Sequence, residues 1–260
     1  CRMESHEEDV PELAEEQALA DVELSVRPYE FEPRGAGVPE LAPLEILQDP
    51  SGLLATGNGA AVWDSGLVLC KYLEGPACRE VLAGRRWVEL GAGTGIVSLV
   101  AASLGAQMAA TDRPVALPLL QKNLKAHCGR FATEPFVLQL DWLDTAAEVK
   151  SGKIPTALVK LRDAGFWPID GVVMSDCTWL LDLLEPLLDC VLALSRGKPG
   201  SEHQTEVILA HEARHAERDA TIFAAFREKL GGALRRLTEA ELHPDWHSDD
   251  ISIWRGTLRD

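Results

Sequence analysis

The residues best suited to chemistry form a glycine-rich segment, VELGAGTG at 88–95, and a carboxylate that follows it. Gly91, Gly93 and Gly95 stand between a short apolar run and a predicted helix, so the backbone there can approach a ligand closely and offer free N–H groups. Asp112 follows Gly91 by 21 residues, at the end of the next predicted strand. A carboxylate in that place accepts both hydroxyls of a ribose, so the spacing predicts a nucleoside site.

The glycine spacing argues against a dinucleotide at this site. Dinucleotide loops carry a third small residue at the position that Ile96 holds, whereas here the third glycine comes one residue early. Glu89 stands two residues before the first glycine, and its negative charge disfavours a pyrophosphate. The pattern therefore favours a neutral or cationic adenosyl ligand.

Asp176 and Trp179 are a second pair of candidates, three residues apart just past a predicted strand at 172–175. Open α/β folds bind ligands at the carboxyl edge of the sheet, so both side chains are expected in one cavity there. The alternative for Trp179 is a core aromatic packed under the following helix.

A third motif, HEARH at 211–215, matches the zinc-protease pattern H-E-x-x-H. In those enzymes the motif lies inside a helix, whereas here it directly follows a predicted strand at 205–210. We therefore predict no metal site. A weaker hypothesis places four histidines at the rim of the nucleoside site, with one or two of them contacting substrate. They are His211, His215, His243 and His247.

These candidates need a scaffold in which strands and helices alternate. The strands are predicted at 87–90, 107–111, 136–140, 172–175, 207–210, 233–242 and 251–258, and the helices at 64–73, 96–104, 117–126, 180–192 and 216–230. Asp64 is the expected N-cap of the first helix. The alternation predicts an α/β fold with a doubly wound, mostly parallel seven-stranded sheet, and the absence of a helix between the last two strands predicts an antiparallel last strand.

The charge is uneven along the chain. The 260 residues hold 25 basic and 41 acidic side chains, for a net charge of −16. Residues 1–26 contain nine acids and one base, and are expected to form an acidic, disordered tail. Residues 27–60 are expected to form lead-in strands and turns, and 61–260 the main domain. So acidic a chain disfavours nucleic acid as a partner and suits a basic one.

The cysteines and the apolar runs indicate in which cellular compartment the protein is expected. None of the six cysteines forms a C-x-x-C pair and four lie in apolar company, which is typical of buried thiols in a reducing compartment. No apolar run approaches the length of a membrane span, and no signal peptide is recognisable. We predict a cytoplasmic protein, with the nucleus as a second compartment, and no membrane partners. Cys1 stands where an initiator Met is expected, so the sequence is expected to be a fragment or a processed chain.

The glycine segment, followed by Thr111 and Asp112, resembles motif I and its partner in class I, seven-β-strand S-adenosylmethionine-dependent methyltransferases. More narrowly, the chain is similar over residues 55–260 to the protein-lysine methyltransferases of the methyltransferase-like twenty-one group. The segments that carry this likeness are AVWDSGLVLCKYLE at 61–74, TDRPVALPLLQKNLKAH at 111–127, LDW at 140–142 and SDCTW at 175–179.

The resemblance implies S-adenosylmethionine as the cofactor, together with a set of residues that contact it. Those residues are Trp63, Glu89, Gly91, Ala92, Gly93, Asp112, Asp141, Trp142 and Ser175. In that arrangement Asp112 would hold the ribose hydroxyls, and Asp141 and Trp142 would lie at the adenine. Trp63 would flank the cofactor, and Ser175 would reach the reacting centre.

The resemblance also implies that Asp176 and Trp179 are catalytic. A lysine nucleophile must first lose a proton, which a desolvating aromatic wall at Trp179 favours and which Asp176 can assist by orienting or deprotonating the amine. The family motif usually ends in Tyr or Phe rather than Trp. The expected activity is methylation of a protein lysine. A small amine or another protein side chain as the acceptor, and a catalytically silent cofactor-binding interaction module, remain open.

Overall fold

The strands form two sheets in the computed structural model, which describes residues 25–35, 38–49, 57–196 and 202–259. A small antiparallel sheet pairs β1 (Ser25–Tyr29) with β2 (Leu44–Gln48). The larger sheet contains β3 (Arg86–Leu90), β4 (Gln107–Asp112), β5 (Phe136–Gln139), β6 (Gly171–Ser175), β7 (Gln204–Glu212), β8 (Leu234–Arg236) and β9 (Ile251–Arg259).

Eight α-helices lie in the described part of the chain. They are α1 (Asp64–Glu74), α2 (Pro76–Leu82), α3 (Ile96–Ser103), α4 (Leu117–Ala126), α5 (Trp142–Lys150), α6 (Thr156–Asp163), α7 (Leu184–Ser195) and α8 (Ala216–Lys229). Across the ranges that the structure describes, no helix combines the length and the apolarity needed to traverse a bilayer.

The larger sheet confirms the predicted fold class. Its strand order is β5-β4-β3-β6-β7-β9-β8, in which β3 to β7 run parallel. β9 lies between β7 and β8 and is antiparallel to both. The strand order reverses at β3, which pairs with β4 on one side and β6 on the other. Such a reversal opens a crevice at the carboxyl ends of the strands, where α/β sheets bind ligands.

The sheet is covered on both faces, because successive side chains of a strand point to opposite sides. Trp87 of β3 packs with buried residues of α1 and α3, such as Leu69 and Leu99. Its neighbour Val88 packs on the other side with residues of α7, such as Leu187. β3, which leads into the glycine segment, is therefore held rigidly from both faces.

Several predicted boundaries are wrong in detail. Asp64 is the first residue of α1 rather than its cap, and Trp63 holds the cap position without a side-chain cap bond. α7 begins at Leu184 instead of 180, after a 3₁₀ turn. The predicted strand at 233–242 is only β8, because Thr238 and Glu241 form a capping box that starts a 3₁₀ turn. Three helices, α2, α5 and α6, were not predicted from the sequence.

The small sheet of β1 and β2 supports the glycine segment. Leu47 of β2 donates its N–H to Asn123 Oδ1 of α4 at 2.9 Å, and Asn123 Nδ2 donates to the carbonyl of Thr94 at 2.8 Å. The small sheet therefore positions α4 and the glycine segment together. Of the predicted tail, 1–24 lie outside the described residues, and Ser25 already belongs to β1.

A buried polar cluster fastens β1 to α1. Tyr29 donates its hydroxyl to Glu74 Oε1 at 2.5 Å, and Lys71 Nζ lies 3.1 Å from the same oxygen and 2.8 Å from Glu32 Oε1. Burial raises the pKa of Tyr29 well above its usual range, so its hydroxyl stays a donor. This cluster fixes α1, whose first turn follows Trp63 directly.

Candidate active site

A cavity of about 410 Å³ opens at the carboxyl ends of β3, β4 and β6, beside the reversal of strand order. This volume lies in the range of small-molecule sites. All eleven residues predicted for the site line the cavity, namely Trp63, Glu89, Gly91, Ala92, Gly93, Asp112, Asp141, Trp142, Ser175, Asp176 and Trp179.

The glycine segment makes a tight turn between β3 and α3 that side chains would block. Gly91 and Gly93 have φ of +66° and +53°, in the left-handed region that favours glycine. A Cβ on Gly93 would lie 2.9 Å from the carbonyl oxygen of Gly59, and one on Gly91 would lie 3.1 Å from the Trp142 ring. Glycine is therefore required here for close packing as well as for backbone conformation.

Asp112 ends β4 and braces this turn. Its Oδ2 accepts the N–H of Gly93 at 2.8 Å, and its Oδ1 accepts the N–H of Arg113 at 2.8 Å. Burial raises the pKa of Asp112, and the two N–H donors oppose that rise. Each carboxylate oxygen has two lone pairs, so both can still accept a ligand hydroxyl. The geometry fits a vicinal diol such as that of ribose.

Glu89 lies beneath the turn and is almost fully buried. Burial raises its pKa to about 8, although Ser98 donates its hydroxyl and its N–H to Oε2 at 2.5 and 2.9 Å. The carboxyl is therefore mostly protonated near neutral pH. A cationic ligand beside it would favour its charged form.

Asp141 and Trp142 close the cavity beyond β5. Asp141 is the N-cap of α5, and its Oδ1 accepts the N–H of Leu143 at 2.8 Å. Trp142 follows as the first helical residue, half-buried, with its ring against Gly91. An indole in this place offers a flat apolar wall for an aromatic base.

The opposite wall follows β6 and is more open. Ser175 Oγ lies 3.1 Å from Ser65 Oγ of α1. Asp176 has a φ of +52°, the one positive value for a non-glycine residue in the described ranges. Trp179 lines the cavity and is 37% exposed, so the alternative that it is a core aromatic is wrong. Asp176 is paired: Arg214 Nη1 donates to Oδ1 at 3.0 Å and Nη2 to Oδ2 at 2.6 Å.

Comparison with known proteins identifies the family. Residues 42–229 match the family described as lysine methyltransferase. The chain belongs to this family.

Relatives of this lysine methyltransferase agree with that assignment, and one solved structure of another protein shares its fold. The protein N-lysine methyltransferase METTL21A of Xenopus tropicalis is 30% identical over 217 residues, which are 83% of this chain and 84% of the relative. The protein-lysine methyltransferase METTL21E of Bos taurus is 45% identical over 85 residues, 32% of this chain and 29% of the relative. The T. thermophilus 16S rRNA methyltransferase RsmC, solved with AdoMet and guanosine, has the same fold, with 18% sequence identity and a TM-score of 0.52. The match covers 90% of this chain and 51% of the RsmC chain.

The H-E-x-x-H segment of this methyltransferase is not a zinc-protease helix. His211 and Glu212 end β7, whereas His215 holds the N-cap position of α8. Within the described residues, no group of three or more His, Cys, Asp or Glu side chains is arranged to hold a metal ion. The hypothesis of histidines at the rim is wrong, because none of the four lines the cavity.

His211 instead braces the segment that carries Asp176 and Trp179. Its Nδ1 lies 2.7 Å from Thr178 Oγ1 and its Nε2 3.1 Å from Asp219 Oδ1. Burial lowers the pKa of His211, and Asp219 opposes that shift. A neutral imidazole here donates from Nε2 to Asp219 and accepts the Thr178 hydroxyl at Nδ1.

Arg214 is the main site residue that was not predicted from the sequence. It follows β7 by two residues, inside the rejected metal motif, and lines the cavity beside Asp176. Its position after a parallel strand, at the same edge as the glycine segment, is the signal that could have found it. Asn58 and Gly59, in a 3₁₀ turn before α1, also line the cavity and carried no recognisable signal.

Proposed function

We propose that this methyltransferase transfers a methyl group from S-adenosylmethionine to the ε-amine of a lysine in a protein substrate, and that its cavity holds the donor and acceptor in two adjoining halves. The observation that carries the proposal is the meeting of Asp112 and the glycine turn with Asp176 and Trp179 in one cavity. Membership of the lysine methyltransferase family supports the same acceptor.

The residues beside β3 to β5 fit the cofactor. Asp112 is oriented by two backbone N–H groups to accept ribose hydroxyls, and Trp142 offers a flat wall for the adenine. Glu89 and Asp141 add carboxyl groups, which suit a ligand with cationic groups. When bound, S-adenosylmethionine supplies a methyl group on a sulfonium, and an amine attacks it in line.

The residues after β6 and β7 suit the acceptor, and so does Trp63 before α1, which the resemblance placed beside the cofactor. Trp63 and Trp179 present partly exposed indoles at the mouth, where they exclude water and attract an ammonium group. Asp176 supplies a carboxylate that orients the amine. Partial desolvation between these side chains lowers the pKa of a lysine amine, which must be neutral to attack.

The charge of the protein favours a basic substrate segment. The net charge of −16 steers a segment that carries Lys and Arg toward the enzyme. A relative in Xenopus tropicalis, 41% identical over 33% of this chain, is named EEF1A lysine methyltransferase 3, so EEF1A is the first purified protein to test. A cytoplasmic location, with the nucleus as a second compartment, stays a prediction.

Incubation with methyl-tritiated S-adenosylmethionine and a cell lysate tests the proposal. We expect a labelled protein band in which mass spectrometry finds Nε-methyl-lysine, and no label with Asp176→Asn. That substitution keeps the size of the side chain and removes its charge. Label on another protein side chain or on small molecules would favour a different acceptor. No label, despite cofactor binding, would favour the catalytically silent module.

A further inference from the structure

The guanidinium of Arg214 occupies the place at Asp176 that an acceptor amine needs. Both carboxylate oxygens of Asp176 accept from it, at 3.0 and 2.6 Å. The side chain of Asp176 is only 7% exposed, and Arg214 lines the same cavity. An amine that enters the cavity therefore meets a carboxylate that already has a cationic partner.

Arg214 has other partners that remain when it leaves Asp176. It lies in the short loop between β7 and α8, and its side chain is 31% exposed. Nη2 also donates to Glu212 Oε2 at 2.9 Å, and Cζ lies 5.8 Å from the centre of the Trp63 ring. Glu212 and Trp63 can thus keep the guanidinium at the rim while Asp176 takes another cation.

The burial of Asp176 restricts what can replace Arg214. A buried carboxylate without a cation is strongly destabilising, so the guanidinium leaves readily only when another positive charge arrives. A lysine ammonium meets this condition, because one cation replaces another and the net charge at Asp176 is unchanged. An apolar side chain of the same length does not, since it leaves the carboxylate uncompensated.

We propose, resting on the proposed function, that Arg214 is a displaceable occupant of the acceptor subsite, and that the substrate lysine takes over Asp176 while Arg214 shifts to Glu212. No covalent bond changes in this exchange, which precedes the methyl transfer. The displaced guanidinium stays near the bound ammonium and, as a like charge, favours the loss of its proton to solvent. Arg214 thus acts as a positioning residue that selects a cationic side chain.

Binding of a small amine tests the exchange without a known protein substrate. The probe is Nα-acetyl-L-lysinamide, added at about pH 8.5 to the complex with S-adenosylhomocysteine, and Nα-acetyl-L-norleucinamide is the control that lacks the ammonium. We expect Arg214→Gln to bind lysinamide about tenfold more tightly than the wild type, the scale of one charged hydrogen bond. Norleucinamide should show no gain. Arg214→Lys should be intermediate, and Arg214→Gln should add nothing in an Asp176→Asn background.

A second readout follows Arg214 in the wild-type protein. In nitrogen-15 NMR its guanidinium should show hindered rotation in the pair with Asp176, and saturating lysinamide should release it. Equal or weaker lysinamide binding by Arg214→Gln, including no binding by either protein, would overturn the proposal. If thermal unfolding shows that Arg214→Gln is not folded, Arg214→Lys decides by the same criterion. If the binding and NMR tests fail but the wild type methylates a protein lysine, only the exchange at Asp176 is rejected. If no methylated lysine is found in the lysate, the proposed function itself is rejected.

Discussion

The two halves of the cavity are built differently. In the donor half, Glu89 and Ala92 are buried and Asp112 is half-buried. Backbone N–H groups fix both carboxyl groups. The acceptor half is lined by Trp63 and Trp179, which are 42% and 37% exposed, and by the Asp176–Arg214 ion pair.

This difference follows from what each half must bind. The donor is one small molecule of defined shape, so a wall made of backbone and of carboxyl groups fixed by N–H donors can match it in advance. The acceptor is a side chain on another protein, which must enter from solvent and leave again. Exposed aromatic side chains and a loop-borne arginine suit such a partner, because they can move without disturbing the core.

Gly93→Ala should give the largest effect, because it tests whether the donor half is rigid. The new Cβ would lie 2.9 Å from the backbone oxygen of Gly59, and the residue has a positive φ. We expect cofactor affinity, measured by calorimetry, to fall about a hundredfold, as a displaced turn misplaces the ligand.

Gly84→Ala is the matched control for that substitution. Gly84 also has a positive φ, +71°, but a Cβ there would meet nothing within 4 Å. Both variants should lose about 1–2 kcal/mol of stability from the left-handed backbone, and only Gly93→Ala should lose affinity. Wild-type affinity in a folded Gly93→Ala protein would mean that the backbone around Gly93 and Gly59 can shift to make room for the methyl group, so that the donor half is not rigid.

Asp112→Ala should have the next largest effect on the donor half. It removes the proposed ribose contact and the acceptor of the Gly93 N–H. We expect cofactor binding to weaken by about 1.5–3 kcal/mol, the scale of a charged hydrogen bond. Asp144→Ala, an exposed acid in the first turn of α5, is the control and should bind normally. Unchanged affinity in a folded Asp112→Ala protein would make the glycine turn a purely structural feature.

The pH dependence of stability tests whether Glu89, the most buried carboxyl group of the donor half, is protonated near neutral pH. Glu89 has a pKa of about 8 in the folded protein, above its ordinary value of 4.5, because it is buried. Between these values the folded state holds a proton that the unfolded state has lost, so stability falls as pH rises. Urea unfolding from about pH 5 to about pH 8 should show the wild type losing up to about 1.4 kcal/mol per pH unit relative to Glu89→Gln. Parallel curves for the two proteins would mean that Glu89 is ionised throughout.

The donor half was also the easier half to predict from sequence. Gly91, Gly93 and Asp112 are joined by one strand–turn–helix unit and the strand after it, so their spacing along the chain reflects their spacing in space. Asp141 was selected through the resemblance alone, although an Asp before a helix start is itself an N-cap signal and would have predicted α5.

The acceptor half depends on contacts between distant parts of the chain. Arg214 reaches Asp176 across 38 positions, and His211 reaches Thr178 across 33. Both pairings exist because β6 and β7 are neighbours in the sheet, with Ser175 opposite Ala210. The alternation of strands and helices was predictable, but not which side chains would pair where the strands end. Arg214 lies inside HEARH at 211–215, and this segment was interpreted through its match to the zinc-protease motif.

Substitutions at Trp179 should have the smallest effect on the fold, and they test whether the acceptor half works through exposed aromatic faces. Because Trp179 is 37% exposed, Trp179→Ala should lower the free energy of unfolding by less than about 2 kcal/mol, against about 3–5 for a buried aromatic. Cofactor affinity should be unchanged, since the donor half is untouched. Methylation of the lysine found in the lysate should be lost in Trp179→Ala and largely kept in Trp179→Phe, which retains an aromatic face.

Trp246→Ala is the matched control, because Trp246 is 42% exposed but does not line the cavity, and it should be fully active. If single-turnover rates fall equally in Trp179→Ala and Trp179→Phe, the wall acts through contacts that only the indole makes. If neither rate falls, Trp179 has no part in the acceptor half.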